Sequence, residues 1–141
     1  SFDVNRSIDK VFYDILNLKN YPKLINDVAK VNIYEKDKNI VKAKIFIESF
    51  FINFHNSVIH TIIKNKYTVK WTLDKTQDND NYFSKMDGYW VLKRVDNKTR
   101  IFYSNDLEFK SWVPGFLENY LFEKGLIEST SWLYSEHEDV K

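Results

Sequence analysis

Between residues 40 and 49 apolar and polar positions alternate, with Val41, Ala43, Ile45 and Ile47 on one side and Lys42, Lys44 and Glu48 on the other. A period of two is that of a half-buried strand. It returns at 67–74, where Tyr67, Val69, Trp71 and Leu73 oppose Thr68, Lys70, Thr72 and Asp74. Further β-rich runs at 28–35, 50–63, 82–95 and 99–110 bring the expected count to about six antiparallel strands. Asp37-Lys38-Asn39 and Asp96-Asn97-Lys98 supply the turns, and 76–81 a polar loop. Two segments follow a helical period instead. Ile8, Val11, Phe12, Ile15 and Leu16 predict a helix over 7–18 with Ser7 as its N-cap, ended by Asn20-Tyr21-Pro22 and followed by one short helical turn over 23–26. From Pro114, the residues Phe116, Leu117, Tyr120, Leu121 and Ile127 form an apolar stripe running to Trp132, a long closing helix in which Gly125 signals a bend or a close contact. A first short strand is expected over 2–5.

The order strand, helix, short helix, strands, helix describes one α+β domain over residues 1–141, with a curved antiparallel sheet and two short helices after its first strand. Met86, Gly88, Trp90 and Leu92 share a face of one late strand, and Ile101, Tyr103, Leu107 and Phe109 share a face of the next. Gly88, two places before Trp90, predicts a sharp bend there. The last helix should lie across the concave face and meet Trp90. Bulky rings on a curved wall leave gaps. An apolar pocket is therefore expected, bounded by Trp71, Met86, Trp90, Tyr103 and Tyr120, with Gly88 and Asn105 also on its wall; filling it by Gly88→Trp should weaken ligand uptake more than it weakens folding.

Composition narrows the function. Lys and Arg number 21 against 20 Asp and Glu, a net charge of +1, so no global field attracts nucleic acid. Aromatics reach 17%, a share suited to a roomy interior lined with rings. With no cysteine there is no disulfide framework and no thiolate chemistry, and cytosol is favoured over periplasm without either being required. No apolar run approaches the roughly 18 residues of a membrane span. A start at Ser1 is compatible with a removed leader.

Catalytic signatures are absent: there is no Gly-x-Ser-x-Gly, no His-Glu-x-x-His and no phosphate-cradling loop among three glycines. His55 and His60, five apart on one strand, face opposite sides and cannot form a metal pair, so neither a metal nor a cofactor is expected. Asn56 and His60 share a face with Phe54, Val58 and Ile62, and Asn105 lies between Tyr103 and Leu107. Such inward polar groups either orient a hydroxyl or carbonyl on a bound molecule or bind a buried water.

Four segments, in order, carry a family resemblance: Ser7-Ile8-Asp9-Lys10-Val11-Phe12; Leu18-Lys19-Asn20-Tyr21-Pro22-Lys23-Leu24; Gly88-Tyr89-Trp90 with its hairpin to Tyr103; and Trp112-Val113-Pro114. Together they resemble the START-like, SRPBCC helix-grip superfamily, in particular its polyketide cyclase/dehydrase and coenzyme-Q-binding (Coq10-like) branch. The Ile25-Asn26-Asp27-Val28 stretch departs from the Pro-Trp-Cys-like element of the quinone chaperones. The resemblance implies a sheet wrapped around the C-terminal helix with an apolar tunnel between them. A monomer holding a hydrophobic small molecule (lipid, quinone-like or polyketide-like) follows, and transient membrane contact would accompany its loading. The alternatives are a cyclase, dehydratase or hydrolase using the same cavity, or a protein-interaction module whose cavity is filled. Tyr21-Pro22 and Trp112-Val113-Pro114, each an aromatic near a proline at a helix junction, are expected to meet as a gate, although Trp112 could equally be a packing residue.

Overall fold

A computed structural model describes residues 1–48, 52–77 and 82–137. The elements are β1 (Phe2–Val4), α1 (Ile8–Leu16), a 3-10 turn (Leu18–Asn20), α2 (Tyr21–Leu24), β2 (Val28–Lys36), β3 (Ile40–Glu48), β4 (Asn53–Ile63), β5 (Thr68–Leu73), β6 (Phe83–Val95), β7 (Lys98–Phe109) and α3 (Gly115–His137). Ser7 caps α1 as expected: its backbone is extended and its hydroxyl accepts from the Lys10 amide at 3.3 Å. Pro22 stands in the first turn of α2, where a missing N–H costs nothing.

The seven strands form one antiparallel sheet in the order β1-β7-β6-β5-β4-β3-β2. Strands β2 to β7 make a meander, and β1 closes it by pairing Phe2 with Ile101 and Val4 with Thr99. The Arg100 guanidinium grips both carboxylate oxygens of Asp3 at 2.8 and 3.1 Å, and holds that carboxyl below its ordinary range. Because β1 and β2 lie at opposite edges, α1 and α2 must carry the chain across the sheet. The apolar side chains Ile8, Val11, Phe12 and Ile15 of α1 are buried with Trp90, Leu92 and Ile101 of the sheet and with Trp132 and Leu133 of α3. A second cluster joins Phe54, Leu73 and Phe83 to Leu121 of α3. The C-terminal helix is thus gripped by the sheet at two places.

Several details correct the sequence reading. The β6–β7 turn has two residues, Asp96 and Asn97, because Lys98 already pairs with Val95; Asp96 takes the left-handed φ of 53° that such a turn requires. Tyr67 is not the first residue of β5 but a left-handed residue before it (φ 46°), and its hydroxyl donates to Asp9 of α1 at 2.7 Å. Register runs unbroken through Gly88, and the irregularity in β6 falls between Phe83 and Lys85. Among the described side chains of α3, Leu121, Trp132 and Leu133 are buried, whereas Phe116 is 77% exposed. Phe116 stands one residue, and so about 100° of rotation, from Leu117, which packs inward. The Gly125 and Ile127 side chains and residues 49–51 and 78–81 lie outside what is described. Among the described residues no helix is long and apolar enough to cross a membrane.

Candidate functional site

Between the sheet and α3 lies a cavity of about 250 Å³. Trp71, Met86, Trp90, Tyr103 and Asn105 all line it, as their strand faces predicted. Trp90 and Tyr103 are direct cross-strand partners with ring centroids 4.5 Å apart, and Trp71 adds a third ring 5.6 Å from Tyr103 and 6.1 Å from Trp90. The trio gives the wall broad aromatic faces.

Gly88 explains how three large rings fit. It sits in register between Trp71 on β5 and Asn105 on β7, and a Cβ there would collide with the Trp71 indole and with the Ser104 carbonyl oxygen. The missing side chain is the seat of Trp71, and the indole Nε1 reaches Asn105 Oδ1 at 3.4 Å from it. Gly88→Trp therefore cannot act as a simple filling mutation, because the nearest obstacle includes main chain.

Tyr120 does not line the cavity; Leu121 and Lys124 of α3 do, and Tyr120 packs against the Phe54–Leu73–Phe83 cluster beside them. A stripe rich in aromatics fits more than one helical phase, which is why the pattern placed Tyr120 inward. The expected gate also divides. Tyr21 is part of the wall: its ring packs on Trp132 at 5.3 Å and its hydroxyl donates to the Ile15 carbonyl at 2.5 Å, while burial pushes its phenol pKa up. Trp112 is 60% exposed and packs on Tyr82 at 5.2 Å, just before the start of α3 at Gly115, with Pro114 supplying the carbonyl that opens the helix. From Gly115 to Trp132 the helix rises about 25 Å at 1.5 Å per residue, so Tyr21-Pro22 and Trp112-Pro114 serve opposite ends of α3.

The polar lining is sparse and mostly engaged. Asp27, between α2 and β2, pairs with Lys124 of α3 at 3.3 Å across the cavity edge. A charge interrupting the α3 stripe at 124 was the one sequence signal for this bridge. His60 is buried, its Nδ1 lies 3.3 Å from the Val41 carbonyl, and burial pushes its pKa down to about 4 against the weaker pull of the Val41 and Val58 carbonyls. At neutral pH it is an uncharged imidazole. Asn56, 5% exposed, lines the same wall with its Oδ1 lacking a hydrogen-bond partner. Among the described residues no cluster of three or more His, Asp or Glu could hold a metal.

Residues 4–126 match the family model described as "Polyketide cyclase / dehydrase and lipid transport". Similar solved structures include the Zhui aromatase/cyclase from Streptomyces sp. R1128, with TM-score 0.81 and 12% identity over 96% of this chain and 88% of that one. A START superfamily protein from Mycobacterium smegmatis gives TM-score 0.77 and 15% identity over 96% and 92%. A STAR-related lipid transfer protein from Xanthomonas axonopodis gives TM-score 0.71 and 11% identity over 95% and 81%. At these identities the likeness is one of fold. No curated protein sequence matches the chain significantly. The match does not single out the coenzyme-Q-binding branch. A sheet gripping its C-terminal helix over an aromatic cavity and a family model matching residues 4–126 agree: the chain belongs to the polyketide cyclase/dehydrase and lipid transport family.

Proposed function

We propose that the chain binds a small, largely apolar molecule in the cavity beneath α3 and acts as its carrier. One observation carries the reading: about 250 Å³ of space remains between the sheet and α3, walled mainly by aliphatic and aromatic side chains. An interaction module with a filled interior would have closed that space. The state of the polar groups favours holding over acid–base chemistry. An imidazole pushed down to about 4 is a feeble base at neutral pH, and the carboxylate at the edge is committed to Lys124. A cyclase working by positioning alone would use the same cavity.

Native mass spectrometry of the purified chain, stripped by organic solvent and re-equilibrated with an apolar fused-ring probe, tests the proposal. A saturable adduct of one probe per chain is expected. Adducts that rise without saturation, as surface adsorption does, would refute it.

A further inference from the structure

We propose that this cavity selects for a ligand bearing a hydrogen-bond donor, a phenol or alcohol hydroxyl, and places it against the side-chain carbonyl of Asn56. The inference rests on the binding reading above and adds the chemistry of the bound group. Asn56 is more than nine-tenths buried on β4, and its Oδ1 accepts from nothing. Its neighbours on the same strand face are Phe54 and Val58, and its cross-strand partner is Ile45, none of which has a side-chain donor. A buried acceptor left bare costs stability unless something fills it.

Three donors of the wall are engaged elsewhere. The Tyr21 hydroxyl goes to the Ile15 carbonyl, the Trp71 indole N–H to Asn105, and the Lys124 ammonium to Asp27. His60, with Nδ1–H given to the Val41 carbonyl, can offer the cavity only the lone pair of Nε2. The wall thus presents an unmet acceptor at Asn56 and a second lone pair at His60. A hydroxyl complements the bare Asn56 oxygen; an ether or a quinone carbonyl, which can only accept, does not. The cavity volume and the Trp71–Trp90–Tyr103 faces suit a compact fused-ring body behind that hydroxyl.

Naphthol, methoxynaphthalene and naphthoquinone separate the possibilities, each titrated against a bound environment-sensitive fluorophore on the stripped chain and on Asn56→Leu. On the unmodified chain naphthol should bind about tenfold more tightly than the other two, the worth of one hydrogen bond to a buried group. In Asn56→Leu the three should bind alike. That variant's ligand-free melting temperature should hold or rise, since an apolar side chain of similar size replaces one whose buried carbonyl oxygen has no partner. Three equal affinities on the unmodified chain would overturn the selection while leaving the carrier reading intact. Tightest binding of naphthoquinone would overturn it too, by showing that the amide presents its NH2. A lower melting temperature for ligand-free Asn56→Leu would show that Asn56 serves the fold, through a buried water, and would also overturn it. Failure of all three probes to bind would take down both readings together.

Discussion

Gly88→Ala adds one methyl group and isolates the packing argument on which the aromatic wall depends. At an unremarkable strand position this change stabilises a protein by about 0.4–1 kcal/mol, because alanine has less unfolded-state freedom to lose. Here the new Cβ would meet the Trp71 ring on one side and the Ser104 carbonyl on the other. The indole can swing away, at the cost of its contact with Asn105, but the carbonyl belongs to the β6–β7 ladder. Overpacking of this kind costs about 1–3 kcal/mol, and an obstacle made of main chain argues for the upper end. We therefore expect urea denaturation to show a loss of about 2–3 kcal/mol, or roughly 6–10 °C in melting temperature for a domain of this size. In a Trp71→Ala background the penalty should shrink without vanishing, since the carbonyl remains. A Gly88→Ala protein as stable as the parent, or more so, would refute the seat assigned to Trp71.

The buried His60 should make stability pH-dependent. Its folded pKa of about 4 lies below the ordinary 6.5, so the unfolded chain binds more protons between those values. Stability should fall by up to about 3 kcal/mol as pH drops from 6.5 to 4, and His60→Gln should flatten that window in denaturation measured across pH. Below it Asp3 and Asp74, both held under the usual carboxylate range, take over. Lys124→Met removes the bridge to Asp27 at the cavity edge; stopped-flow loading of an apolar fluorophore should quicken by about two- to fivefold, and added salt should quicken the parent toward the same rate. Trp112→Ala removes a ring that is mostly in solvent, so chemical denaturation should register under about 1 kcal/mol where a core tryptophan would cost about 3–5.

What was legible in the sequence was periodic. Strict alternation over 40–49 and 67–74 placed β3 and the body of β5, and the same rule put Trp71, Met86, Trp90, Tyr103, Asn105, Asn56 and His60 on the inner face, where they are found. Period two admits no ambiguity about face, and a one-residue error would have moved every side chain outward. The helix was harder to phase. Phe116, Leu117, Tyr120 and Leu121 cover too wide an arc to say which edge meets the sheet, so Tyr120 was set in the wall in place of Leu121 and Lys124. Contacts between segments distant in the chain were not readable at all. Asp27 with Lys124, Tyr21 with Trp132 and Gly88 beneath Trp71 depend on how the sheet curls, which no local pattern encodes.

The central claim is that an apolar molecule enters the space between the sheet and α3. Methyl-labelled NMR titration with naphthol tests it most directly, because binding and location are read at once. The account predicts saturable shifts for the cavity-wall methyls of Ile45, Val58, Val69, Met86 and Leu107, with Val4 and Val11, which do not line the cavity, unmoved. Shifts confined to side chains around the exposed Trp112 and Phe116, or none that saturate, would contradict it.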